Sequence, residues 1–361
     1  MQTRNAFGPQ FFIALLIAAL FCTLWLPGRA LAQAEPAAGN DADAQTLLLP
    51  AREDATVVQQ DPATNFGSQP ELRVGVIGGI ETFFSTWSLA QWDLSAIPPG
   101  STINNADLGL YQTTGGTTPV LVARVLGPWQ EAEVTWASLP EWTVIDRTWT
   151  PPDVVNQYVR YDTAGDVVEG LVSQWVNNAG NPPNFGLLFQ PGPPAPSMRV
   201  FASREVRARP PVLRINLTLP PIRVCYTTAL DCVPAAGAEV FTSGGSGPIA
   251  VADANGLIDS KAVALGDALW ARVPVSKPGP QSTLYYTSGP LVAAEAANFQ
   301  LYTDTEQFEL RLVVRSEQPL LLYDLNLSAQ WYLEDDPARV EWLRSNLVRA
   351  SDFLYDFTEG Q

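Results

Sequence analysis

Hydrophobic and polar positions alternate every two residues along much of the chain. From Ser85 to Tyr111 the pattern reads strand, turn, strand. Trp87, Leu89 and Trp92 lie in an apolar, β-prone run, and Ile97-Pro98-Pro99-Gly100 breaks it. Then Ala106, Leu108 and Leu110 alternate with Asp107, Gly109 and Tyr111, the period of a half-buried strand. Leu72, Val74 and Val76 repeat that period, as do Leu213, Ile215 and Leu217, and Phe308, Leu310, Leu312 and Val314. Val120 to Val125 is a further apolar strand. The connecting stretches are rich in Gly, Pro, Asn and Thr. Short strands with such turns predict an all-β chain led by an antiparallel β-sandwich, or jelly roll, over residues 47–219. One segment departs from the period. Between Gly165 and Gly180, Val168, Leu171, Val172, Trp175 and Val176 fall at helical spacing and predict one short amphipathic helix.

Residues 1–34 have the pattern of a secretory signal. Arg4 is followed by an apolar run from Phe11 to Leu26, then by small-x-small sequences around Ala30 to Ala34. Sixteen apolar residues are short for a membrane span of roughly 20. The chain is therefore expected to be exported, with no membrane association after cleavage. Residues 35–46 are small and polar and read as a linker. A second set of strands occupies residues 220–316. Residues 317–361 hold a strand and then an amphipathic helix. Asp336 is placed to cap it, with Pro337 at its first position. Val340, Leu343, Leu347, Ala350, Leu354 and Phe357 form its stripe, and Gly360 stops it. Such a helix reads as the opening of a further domain, or as a segment docked on the second one.

Composition narrows the chemistry. There is no histidine, which removes Ser-His-Asp and Cys-His triads and histidine metal sites. Carboxylate chemistry or oxygen-ligated calcium remains. Without the leader's two arginines the net charge is −18, so nucleic acid and anionic membranes are poor partners. Cys225 and Cys232, with six residues between them, are expected to form a disulfide in an exported protein.

Five stretches carry a family resemblance. They are D-A-T-V with P-A-T-N-F-G-S-Q-P-E-L-R-V-G between Asp54 and Gly75; W-D-L-S with I-P-P-G-S-T-I after Trp92; W-Q-E-A-E-V-T-W from Trp129 to Trp136; L-V-S-Q-W-V from Leu171; and N-F-G-L-L-F at Asn184 with F-A-S-R-E at Phe201. In this order they resemble the DNRLRE β-sandwich domains of bacteria, which overlap carbohydrate-binding module family 96. The resemblance implies a non-catalytic domain that binds polysaccharide or a cell-surface glycan, and an anionic one such as alginate would fit it. The family's basic residue ahead of its aromatic-Asp-Leu is missing here, where Trp87 and Gln91 stand. In the second set, C-V-P-A-A-G-A-E-V-F, V-A-D-A-N-G-L-I and L-G-D-A-L-W-A resemble a carboxypeptidase-regulatory-like domain. That resemblance implies a smaller Ig/transthyretin-like β-sandwich.

Candidate ligand-binding residues follow from side-chain type. Sugar rings stack on exposed aromatic faces, and seven of the eleven tryptophans lie in residues 47–219. Trp92, Trp136 and Trp175 sit in apolar patterns and are expected in the core. Trp142 and Trp149 lie in polar, proline-containing sequence and are expected to be exposed. Tyr111 is expected on the polar side of its strand. Arg207 and Arg209 would share one side of an extended segment and could meet an acidic sugar. Yet residues 47–219 hold ten arginines and no lysine against 16 acids, a balance that disfavours a basic groove. Glu131 and Glu133, two apart in a strand, could form a glycosidase pair, but solvated charge is the expected state. No cofactor is expected. Asp54, Asp93 and Asp162 could supply oxygens to a structural calcium, without a spacing that assigns one. The sequence thus predicts a secreted, modular, non-enzymatic protein that binds glycan. The other readings are a stalk of a cell-surface protein, or accessory domains of an extracellular enzyme.

Overall fold

A computed structural model describes residues 45–78, 83–146, 149–161, 167–177, 182–193, 197–227, 232–279, 282–288 and 296–323, with 337, 338, 340–346 and 349. The expected signal, most of the expected linker, Asp162 and the end of the expected C-terminal helix lie outside these residues.

The N-terminal half forms β1 (Gln45–Pro50), β2 (Glu53–Val58), β3 (Glu71–Gly78), β4 (Phe83–Gln91), β5 (Thr102–Thr114), β6 (Val120–Val125), β7 (Trp142–Asp146), β8 (Gln157–Tyr161), α1 (Val167–Asn177), β9 (Leu187–Pro191), β10 (Arg199–Ala202) and β11 (Val212–Thr218). All its pairings are antiparallel. One layer contains β1, β11, β5, β8 and β10, and the other contains β2, β4, β9, β6 and β7. Strand β3 joins them. Its residues 71–74 pair with β10, and its residues 75–78 pair with β4. Between the layers lie Leu72, Val74, Trp92, Leu108, Leu110, Val122, Phe189, Phe201 and Ile215. All five apolar positions expected on the helix are buried on α1. Burying such side chains contributes about 1.5–3 kcal/mol each before entropy is counted.

Two strands are covered on both faces. On β5, Asp107, Gly109 and Tyr111 are buried along with Leu108 and Leu110. Arg214 covers Asp107 with an ion pair of 2.8 Å, and Tyr158 packs over Gly109 and Tyr111. The second layer also has an apolar outer face. Ala55, Val57, Leu89, Ala123, Val125 and Leu188 form a separate cluster there, closed by Trp129 and Val134 of residues 126–141. This two-sided burial accounts for the unbroken apolar runs at Val120–Ala123 and Leu187–Phe189.

The C-terminal half forms β12 (Ile222–Thr227), β13 (Cys232–Pro234), β14 (Glu239–Thr242), β15 (Ala250–Val251), β16 (Leu257–Ile258), β17 (Leu269–Gly279), β18 (Ser282–Thr287), β19 (Gln300–Tyr302) and β20 (Gln307–Tyr323). Its pairings are antiparallel except β12 with β20, which is parallel. The described residues are mostly β, in two sandwiches, as the two-residue period predicts. A disulfide joins Cys225 to Cys232 across the β12–β13 hairpin. Arg311 is fully buried beside Glu309 (3.0 Å) and Asp304 (2.7 Å), with its guanidinium 3.7 Å from the centre of the Tyr302 ring.

Only Leu219-Pro220-Pro221 separates β11 from β12, and one core runs through the junction. Gln45, at the start of β1 and inside the expected linker, donates to the Val263 carbonyl and accepts from the Leu265 N–H. Phe308 packs on Gly100, and Ser260 bonds the Leu219 carbonyl. In the last segment, residues 317–323 end β20, and residues 337, 338, 340–346 and 349 are helical, with Val340 and Trp342 exposed.

Candidate functional site

Residues 126–141 are not the aromatic strand that their alternation suggests. Glu131–Glu133 form a turn, and the N–H groups of Glu133 and Val134 both donate to the Gln130 carbonyl. Two Asn-Phe-Gly sequences grip this segment. Asn65 accepts from the Gly67 N–H and donates to the carbonyls of Glu131 and Val134, both at 2.7 Å. Asn184 accepts from the Gly186 N–H and donates to the Trp92 carbonyl, while the Trp129 indole N–H donates to the Phe185 carbonyl. Each glycine is required. A β-carbon on Gly67 would collide with the Glu131 carbonyl oxygen, and Gly186 has φ 79° against the Ala90 carbonyl. Phe66 and Phe185 thus belong to one repeated turn that holds the segment over the sheet.

Beneath the turn lies a compact charged knot. The Glu131 carboxylate accepts from the Asp54 N–H at 3.1 Å and from Arg204 at 2.8 Å, and the Glu131 N–H donates to Glu53 at 3.1 Å. Asp54 is fully buried on β2, with its Oδ2 accepting from the Arg204 N–H. Burial pushes its carboxyl up to about 8, against the lowering effect of that hydrogen bond. The carboxyl is therefore largely protonated at neutral pH.

A cleft of about 610 Å3 opens beside this knot, walled by Arg52, Gln91, Trp129, Gln130, Glu131 and Phe185. A second cleft of about 380 Å3, walled by Trp92, Asp93, Ser95 and Trp175, shares Arg52, Gln91 and Asn184 with it. The two form one groove in the size range of small-molecule sites. On the outer face of β4 and β7, three indoles meet. Trp87 lies 4.6 Å from Trp136 and 5.6 Å from Trp142, the latter edge-on. Trp142 is 37 % exposed.

Several expected positions differ. Trp149 is not exposed but 8 % accessible. It packs on Tyr161 and Phe189 and donates its indole N–H to the Arg160 carbonyl. Its loop is drawn inward by Arg199, which is fully buried and donates to the carbonyls of Thr118, Pro151 and Pro152 and to Gln112 Oε1. Tyr111 is also buried, and its hydroxyl donates to the Asn156 carbonyl. Arg207 and Arg209 do not share a strand face, because residues 204–209 are turns. Arg209 lies over the Tyr111 ring at 4.5 Å, and Arg207 is exposed. Glu131 is held in the knot and Glu133 is exposed on the turn, so they do not form a facing pair. Trp92 and Trp175 are buried as expected, whereas Trp136 is only partly so. Asp54 and Asp93 spend acceptor capacity on backbone N–H groups of Arg204 and Ser95. Among the described residues no group of three or more Asp, Glu or Cys is placed to hold a metal, and no helix is long and apolar enough to cross a membrane.

The groove was not foreseen from sequence. Its one legible signal was the repeated Asn-Phe-Gly, which marks two turns that converge on one segment.

The model of carbohydrate-binding module family 96 matches residues 45–216, which are β1 to near the end of β11. The match supports a carbohydrate-binding β-sandwich over this half of the chain. No protein of curated function matches the chain.

Proposed function

We propose that the chain is a secreted, modular protein whose N-terminal sandwich binds polysaccharide without bond chemistry, by aromatic stacking and hydrogen bonds. The observation that carries this reading is Trp142. It is the one expected aromatic contact with a ring still open to solvent, and it packs edge-on against Trp87, which in turn packs on Trp136. An indole fixed by neighbours offers its face to a pyranose at little entropic cost. The family match over the same residues gives the ligand class. The C-terminal sandwich is read as a transthyretin-type spacer toward further domains of the same protein. Neither nucleic acid nor membrane is a partner in this reading. The continuous core at Leu219–Ile222 also favours a stalk role, with the two sandwiches acting as one rigid rod.

Affinity electrophoresis of the full chain on gels carrying single polysaccharides tests the proposal. Retardation by one glycan, lost in Trp142→Ala, is expected. Unchanged mobility on every gel would leave the stalk role alone.

A further inference from the structure

We infer that the groove beside the Asn-Phe-Gly turns is a second glycan contact and that it takes neutral, hydroxyl-rich polysaccharide rather than polyuronate. This rests on the glycan-binding reading above and adds the substrate class.

The argument is a pairing of charges. Two cations line the groove, Arg52 and Arg204. Arg204 is bound to Glu131 at 2.8 Å. Arg52 is exposed along 63 % of its side chain and stands 3.9 Å from Glu53. Asp93 lines the second cleft with Arg52, and its carboxyl is held below its usual range first by the Ser95 N–H and hydroxyl, then by the Arg52 charge. Three carboxylates thus stand against two guanidiniums. A uronate entering here would meet no uncompensated cation and would lose water for little return. The chain as a whole carries −16 and repels polyanions at long range.

Hydroxyl groups are better served. Gln130 is exposed on the rim, and the Gln91 and Asn184 amides stand where the two clefts merge. Gln91 donates to the Asn184 carbonyl at 2.6 Å, which fixes its amide without using its oxygen. Trp92 and Trp175, both walls of the second cleft, are buried and bring apolar ring surface to its floor.

The test uses the full chain in gels carrying a neutral β-glucan, a neutral mannan or a polyuronate. Ala132, exposed on the wall of the larger cleft, is replaced in Ala132→Trp to fill it while Trp142 stays in place. The expected result is retardation by a neutral glycan that is insensitive to salt and weakens about tenfold in Ala132→Trp. A Glu53→Gln, Asp93→Asn double variant releases Arg52 and is expected to gain retardation by polyuronate. Wild-type retardation by polyuronate alone, or neutral-glycan binding undiminished in Ala132→Trp, overturns this inference and leaves the glycan-binding reading intact. Failure of every gel to retard the wild type removes both.

Discussion

Trp142 and Trp149 lie seven residues apart in one polar, proline-containing stretch, yet the fold treats them oppositely. Trp142 sits on β7 with its ring partly open beside Trp87 and Trp136. Trp149 is in the main core against Tyr161 and Phe189. Local polarity is the same for both. The difference comes from Arg199, far along the chain on β10. Its guanidinium gathers the carbonyls of Pro151 and Pro152, and Gln112 bonds the Pro152 and Val154 carbonyls from β5. The loop after Trp149 is therefore pinned to the sandwich, and the indole must turn inward. Trp142 pairs with Val125 of β6, and among the described residues no buried side chain bonds the backbone beside it. The pair teaches that an aromatic in a polar loop is a ligand contact only if no buried polar group claims the backbone beside it.

The largest break in the comparison is expected from Trp149→Ala. Removing a buried indole from the main core should cost about 3–5 kcal/mol, read as a lower denaturation midpoint in urea. A loss near zero would mean that the ring does not support the core. Arg199→Met comes next. The Thr118 and Pro151 carbonyls and Gln112 Oε1 would lose this donor, at a cost of about 2–4 kcal/mol. It should also raise the exposure of Trp149, visible as a red shift of tryptophan emission that is absent in Arg199→Met, Trp149→Phe. A variant as stable as wild type would separate the arginine from the loop.

Asp54 sharpens the comparison from the groove side. Its folded pKa of about 8 lies above the ordinary 3.8, so the carboxyl takes up a proton on folding. The associated stability is full below about pH 4 and is lost as the pH rises toward 8, at about 1.4 kcal/mol per unit in that window. Urea midpoints between pH 5 and pH 8 should fall for the wild type and stay nearly level for Asp54→Asn. A wild-type midpoint as level as that of Asp54→Asn over this range would show that the carboxyl stays ionised in the fold.

Much of this fold was legible. The two-residue period found the strands, and the 3.6-residue period named all five buried positions of α1. Cysteine spacing, with export expected, predicted the Cys225–Cys232 bond. The site was less legible, for a physical reason. Tyr111 and Trp149 alternate or sit as exposed residues should, but distant segments cover them, and no local pattern records that cover. Glu131 and Glu133 follow strand alternation within a turn, because Asn65 holds the Glu131 and Val134 carbonyls and overrides the local preference. Only the recurrence of Asn-Phe-Gly hinted at that clamp.

The smallest stability effect and the most telling one come from Trp142→Ala. The ring already meets solvent on one side and packs edge-on against Trp87, so its removal should shift stability by less than about 0.5 kcal/mol. Glycan retardation should nevertheless be lost. The same substitution in the Arg199→Met background should add its small cost independently, since among the described residues no contact joins the two side chains. A fall of several kcal/mol with binding unchanged would place Trp142 with Trp149, as a core residue that only looks exposed. The stacking face would then have to be sought along the groove, where Trp129 shows only its edge to solvent.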